Sequence, residues 1–423
     1  MVLSITLIPQ SSASPFRCLK VTRLTHRPRP RNRTGSPTMR FHLVFLNLLA
    51  PILCVMTIPP DSGKVFGQTS LNPDRTDAPS GHISGQVINS DTGNPIEGVN
   101  VFLGHTTLGF ESNKNGAFRL EQVPVGSFDL VLTHIGYEFI ARRIRISDTD
   151  SLQFLFRMQP RIHDVDGTGI YGGMGVEVEA DGPSIWRNRL KIFKQEFLGQ
   201  SDFGKKSIIL NPLVLDFEVD PESGVFSAST DSTLHIDNVA LGYRLHLVLN
   251  EFRFSGRWNR PYSAEQSLGA TLAFIDYTVY PRYEEMVAED EDQAQRWHKN
   301  RQVAYGGSFP HFMRALAQNR LEEEGFGVKL SQVPINKIGV KLATFYRFDT
   351  RTIVTPDTLG LRRIQFTNYL LVRRGFQSSS LRLNSAYGLI DEEGALFEPR
   401  AFVKHGQWYE DRVGDMLPRD YRP

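Results

Sequence analysis

Eleven histidines are the first residues whose chemistry needs testing. Zinc-dependent peptide hydrolysis uses a His-x-x-Glu pair with a distant histidine, and no histidine here has glutamate three residues on. His-Glu-x-x-His is missing as well, so the spacing predicts no metal site. In Gly306-Gly307-Ser308-Phe309-Pro310, Gly-x-Ser supplies half of a nucleophile elbow, but Pro310 occupies the place of the closing glycine. Ser308 is better read as a helix N-cap. Gly167-x-Gly169-x-x-Gly172 has the letters of a dinucleotide fingerprint. It lacks the flanking strand and helix that would aim backbone amides at a pyrophosphate, so no nucleotide cofactor is expected. The acidic run Glu284, Glu285, Glu289, Asp290, Glu291 and Asp292 has no calcium-loop spacing. Placed early on a helix with Arg296, Lys299 and Arg301 later, it suits the helix dipole and i,i+4 pairing. No catalytic residue emerges. One ligand-binding cluster stands out: Trp297, Arg301, Tyr305, Ser308, His311 and Arg314. Around a break between two helices, it would put an aromatic and basic face beside free amides able to hold a carboxylate or sugar acid. The alternative, which we favour, has Trp297 and Tyr305 packing the helices together while Arg301 pairs with the acidic run.

The elements that must carry these residues are mostly strands. Short apolar runs recur near 82–88, 98–103, 107–111, 117–121, 127–133, 138–146 and 151–158. Phe128, Leu130 and Leu132 share one face, as do Leu152, Phe154, Phe156 and Met158. Asn115-Gly116 tolerates positive φ and predicts a hairpin turn. Seven short strands in so few residues predict a β-sandwich. Beyond it, an amphipathic helix capped by Ser184 runs to Gly199 with Trp186, Leu190, Phe193 and Phe197 at helical spacing. Strand-like runs continue to about Pro281. A helix to about Ala304 follows, then a second from Ser308 to Gly325. Further β-like runs fall at 337–347, 362–373, 379–390 and 400–404.

The first module resembles a known family. Gly85-x-Val87, Thr92-Gly93-x-Pro95-Ile96-x-Gly98-Val99, Gly109, Asn115-Gly116-x-Phe118, Val123-Pro124-x-Gly126 and Ile135-Gly136-Tyr137 are similar to the carboxypeptidase regulatory-like module. That is a transthyretin-like sandwich common in cell-envelope proteins of Bacteroidetes. The resemblance implies a scaffold, not a carboxypeptidase, because the catalytic domain is missing. Asn115 replaces the usual aspartate of the turn, which removes a carboxylate-based cation site. A second resemblance, to Bacteroidetes proteins joining this sandwich to an uncharacterised region, rests on 197–199 (FLG), 209–212 (ILNP), 241–243 (LGY), Tyr305-x-Gly307-Ser308-x-x-His311-Phe312 and the terminal RVGDMLPRDY.

The expected fold class is mainly β. An N-terminal seven-stranded transthyretin-like β-sandwich is followed by an α+β domain with antiparallel strands and a helical insertion. The expected segments are a basic extension over 1–38, a signal peptide over 39–67 opened by Met39, and a linker over 68–81. The sandwich then spans 82–160, a Gly-rich linker 161–183 and the α+β domain 184–423. The formal net charge is +2, but residues 1–38 hold seven Lys/Arg and no Asp or Glu, so the rest carries 2 − 7 = −5. That balance argues against nucleic acid as a partner. The apolar run Leu43 to Met56 has the length of a signal-peptide core, with a cleavage site before Gln68. A basic transit-like leader over 1–38 is the alternative. Cys18 and Cys54 precede that site, so the mature chain would have no disulfide and no Cys nucleophile.

These readings predict an exported, non-catalytic envelope protein whose sandwich docks it to a partner, an envelope protein or glycan. Its place would be the periplasm or the periphery of the outer membrane. The alternatives are a small outer-membrane β-barrel and an envelope glycan or peptide hydrolase with unidentified carboxylates.

Overall fold

The computed structural model describes residues 80–147, 150–161, 182–255, 274–332 and 349–423. The proposed signal peptide, both cysteines, nearly all of the Gly-rich linker and the run at 337–347 lie outside the described residues.

Seven strands build the sandwich: β1 (Ser80–Asn89), β2 (Asn100–Leu103), β3 (Gly109–Glu111), β4 (Ala117–Pro124), β5 (Gly126–Thr133), β6 (Ile140–Ile146) and β7 (Ser151–Met158). They form two sheets, β4-β1-β7 and β3-β2-β5-β6. The pairing of β1 with β7 is parallel and the others are antiparallel. The alternation read from the sequence holds, since Phe128, Leu130, Leu132, Phe156 and Met158 all enter one core with Ile83, Val101 and Phe118. Gly116 sits at φ +69, and a Cβ there would come within 2.3 Å of the Val87 carbonyl oxygen. The Asn-Gly turn is therefore a steric requirement.

The second half begins with α1 (Gly182–Phe193), which continues as a π-helical turn over Lys194–Leu198. Ser184 is the third residue of this helix, not its cap. Phe193 and Phe197 stack at 4.6 Å, and Gly199, at φ +96, ends the element. After the short helix α2 (Asp202–Lys205), a six-stranded sheet comprises β8 (Ser207–Ile209), β9 (Leu215–Val219), β10 (Phe226–Thr230), β11 (Leu234–Asn238), β12 (Tyr243–Ser255) and β13 (Phe274–Glu285). Its aromatic core includes Phe193, Phe217, Phe226, Tyr243, Phe252 and Tyr283.

Here the sequence reading needs one correction. Glu284 and Glu285 end β13, paired with Arg244 and Tyr243 of β12, and do not open a helix. Tyr277, Val279 and Tyr283 face the core while Tyr280 lies against the sandwich, a period of two that outweighs the helix-friendly glutamates. Asp290 then caps α3 (Glu291–Tyr305), and Ser308 caps α4 (Phe309–Ala317), each accepting from a first-turn amide. α4 is shorter than expected, and turns carry the chain from Ala317 to Gly325.

The last part holds β14 (Gly327–Ser331), β15 (Val354–Pro356), β16 (Arg362–Ile364), β17 (Tyr369–Arg374), β18 (Gln377–Leu383), β19 (Gly388–Ile390), β20 (Phe402–Gly406) and α5 (Gln407–Glu410). The strands form the sheets β14-β17-β18-β20 and β15-β16-β19. Phe312, Leu316, Phe326, Leu370, Leu381 and Trp408 share their core. Among the described residues, the strands of the second half thus belong to three sheets that turn their apolar side chains into two internal cores. A barrel wall would need the opposite polarity. No helix among the described residues is long and apolar enough to cross a membrane.

Candidate functional site

The six residues singled out from sequence do come together, but their polar atoms are spent on their own chain. Trp297 is buried over the turn between β11 and β12, where its Nε1 donates to the Val239 carbonyl at 2.9 Å. Arg301 donates to the carbonyls of Leu241 (2.7 Å) and Gly242 (3.1 Å) and reaches Glu285 at 3.5 Å. Its guanidinium lies 4.0 Å from the centre of the Tyr243 ring. Tyr305 stacks on His311 at 4.5 Å, and its hydroxyl accepts from Arg314 Nη1 at 2.6 Å. His311 accepts from the Gly307 amide at 3.1 Å and meets Glu324 at the same distance. Burial pushes its pKa down while the Glu324 contact opposes. The break between α3 and α4 is therefore an internal clamp. Arg301 pairs with Glu285 as its acidic partner, and that glutamate stands on a strand.

Gly242 shows how tight the clamp is. Its φ is +68, and a Cβ would lie 2.3 Å from the Trp297 ring. Gly242→Ala is expected to destabilise the protein by about 2 kcal/mol through left-handed strain and lost ring contact. Urea unfolding followed by Trp fluorescence measures it.

What the clamp grips is the C-terminal segment, which sequence reasoning did not implicate. Arg314 Nη2 donates to the Arg419 carbonyl at 3.0 Å, and Tyr305 meets Tyr421 edge-on at 5.8 Å. From there the tail reaches the sandwich. The Arg419 amide donates to the His105 carbonyl at 2.6 Å, and Asp420 accepts from the Thr107 hydroxyl at 2.6 Å. Arg419 also bonds the Ser127 carbonyl and the Asp391 carboxylate, and Asp391 accepts from the Ser127 amide at 2.9 Å. Burial pulls the Arg419 pKa down and Asp391 opposes it. No local pattern announces this junction, because Ser127, Asp391 and Arg419 are far apart in sequence and acquire meaning only in the fold.

The sandwich also meets β13 directly. His105 donates its amide to Pro281 and Tyr283 donates to Thr106, so the β2–β3 turn extends the six-stranded sheet at its edge. Phe102 and Val131 of the sandwich pack with Val248, and Phe139 and Tyr280 border them. On the same face of that sheet, His235 and His246 face each other at 3.1 Å between their Nδ1 atoms, and His246 Nε2 meets Glu284 at 2.8 Å. Burial lowers both imidazole pKa values, with nearby arginines adding to the effect. Between two neutral rings, one Nδ1 donates its proton in the contact and the other accepts. Among the described residues no group of three or more His, Cys, Asp or Glu is placed to hold a metal ion.

Comparison with known proteins supports the first module. Residues 83–168 match the model of the CarboxypepD_reg-like domain, so the sandwich is a domain of that family. No curated protein matches the chain. Among solved structures, similarity extends to BcpA, the major pilin subunit of Bacillus cereus, at 15% identity over 20% of this chain and 31% of the pilin, with a TM-score of 0.18. The chain thus spans under a third of that pilin. A candidate carbohydrate-binding protein of Bacteroides uniformis is 12% identical over 49% of this chain and 80% of its own, with a TM-score of 0.17. A candidate membrane-associated protein of unknown function from Bacteroides fragilis is 9% identical over 78% and 94%, with a TM-score of 0.16. TM-scores this low fix neither fold nor function.

Proposed function

We propose that this protein is an exported, non-catalytic binding protein of the cell envelope, with the sandwich held as a rigid docking element. The observation that carries the reading is the buried Ser127–Asp391–Arg419 junction. It fixes the sandwich to the second half through charged hydrogen bonds, an arrangement suited to presenting a surface at a set angle. The register of β2 against β5 puts Leu103 and the junction at one end of the sandwich and Thr133 at the other. At that other end Ile135 is 89% exposed on the β5–β6 turn, beside His134 and Tyr137. An apolar residue held out on a rigid turn suits an anchor for an envelope protein or glycan. Export, to the periplasm or the periphery of the outer membrane, is the expectation carried by the signal peptide and belongs to the same proposal.

Envelope fractionation with an alkaline-carbonate wash tests it, with the mature N-terminus read by mass spectrometry. Release into the wash with a start near Gln68 is the expected result. Retention in the membrane pellet would overturn peripheral docking, and turnover lost on changing one side chain would overturn the non-catalytic reading.

A further inference from the structure

We propose that the border of the six-stranded sheet over residues 207–219 is the interface through which two copies of this chain form a two-fold symmetric dimer. β8 lies along β11 and β9 along β10, so this stretch edges the sheet on the side away from β13. Ile209, Leu215 and Phe217 turn into the core. The alternate side chains stand on the other face, where Ile208 is 50% and Leu210 48% exposed, and Leu213 on the turn between the strands is 85% exposed. The sandwich covers that face further in, where Phe102 and Val131 pack with Val248. Exposed apolar residues in a row on a sheet border mark a contact surface, because such a border otherwise invites uncontrolled association. The row is also held in place. The Asn211 amide donates to the Thr233 carbonyl at 2.9 Å, its Oδ1 accepts from the His235 amide at 2.8 Å, and Pro212 opens the turn that carries Leu213. Little loop entropy is therefore lost when the row is covered.

What covers the row is read from the charges at its ends. Lys205 and Lys206 stand exposed before it, and Asp216 and Glu218 stand exposed after it. None of the four has an ion-pair partner among the described residues. Lys206 is five residues before Asn211 and Asp216 five after, so the strip is basic at one end, acidic at the other and apolar between. A uniformly charged surface would attract one end and repel the other. A second copy laid antiparallel brings the lysines of each copy to the carboxylates of the other and seats the apolar rows together. That is the self-complementarity a two-fold interface demands. With three apolar side chains from each copy at its centre, the dimer is a weak one. This inference goes beyond the docking reading above, since neither the exposed turn of the sandwich nor export enters it.

The test is sedimentation velocity on the full chain as the cell processes it. A reversible dimer with a Kd on the order of 10 µM is the expected result. Leu213→Asp changes an exposed side chain outside the core and should weaken the dimer at least about tenfold. The decisive variants reverse one end each: Lys205→Glu with Lys206→Glu in one chain, and Asp216→Lys with Glu218→Lys in another. Each alone should be monomeric, because like charges then meet at both ends of the interface. Mixed in equal amounts they should form a heterodimer, because opposite charges are restored at both ends. A wild-type chain that is monomeric at about 100 µM, a dimer indifferent to Leu213→Asp, or a mixture that stays monomeric would overturn the proposal. So would anionic vesicles that carry the protein down through Lys205 and Lys206 whatever stands at 216 and 218, which would give the strip to a lipid surface.

Discussion

Asp391→Ala is expected to cost about 3–5 kcal/mol of stability, the range for breaking a buried charge pair by removing one partner. Asp391 is 1% exposed. One carboxylate oxygen accepts from the Ser127 amide and Arg419, and the other accepts from the amides of Glu393 (3.0 Å) and Ala395 (2.9 Å). Alanine leaves three backbone donors without this acceptor and strips the Arg419 guanidinium of its carboxylate, leaving it the Ser127 carbonyl. Asp391→Asn should recover little. Its amide oxygen can serve the turn over 391–395, but its NH₂ would then face two donors. Arg419→Ala on the Asp391→Ala background should cost less than the sum of the single changes, because the stranded cation is gone. Urea midpoints give these values, and trypsin cleavage reports whether the tail has come loose. A loss below about 1 kcal/mol would mean that the tail does not staple the modules together.

That junction marks the limit of what the sequence displays. The sandwich was legible because its signals are local: Asn115-Gly116 for a turn, and the alternation of Phe128, Leu130 and Leu132 for a strand. Even there, Val131 is fully buried on the opposite face, because β5 is covered on both sides. The Ser308 cap was legible for the same reason, one hydroxyl and one amide three residues apart. The acidic run was misread at its start. Tyr280, Arg282 and Glu284 belong to a strand set by pairing with β12, and glutamate propensity is the weaker influence there. The candidate cluster was gathered correctly on two helices, but its role was hidden. Arg301 is committed to Leu241, Gly242 and Tyr243, some sixty residues away. Whether a basic side chain is free or taken is settled by tertiary contacts, which periodicity does not encode.

The second large effect is one of pH, and it lies at Asp411. Burial raises its pKa from 3.8 to about 6, with Asp415 and Glu410 adding to the rise and Lys404 and Arg412 opposing it. Asp415 is raised as well, again first by burial. An acid whose folded pKa lies above its unfolded one binds its proton more tightly when folded. Its contribution favours the folded state below about pH 4 and is lost as pH rises through about 6. Above that the ionised side chain costs up to about 3 kcal/mol, from a little over two pKa units, less whatever solvent contact relieves. Asp411→Asn removes the penalty. It should raise the melting temperature at pH 7.5 by several degrees and leave it nearly unchanged at pH 4. His105 acts in the same window with the opposite sign. Burial lowers its pKa from 6.5 to about 4, so its contribution is lost as pH falls. The wild-type curve therefore hides both, and only the difference between wild type and Asp411→Asn isolates the carboxylate. A difference that stays constant from pH 4 to 7.5 would show that Asp411 ionises in the folded protein as it does in the open chain.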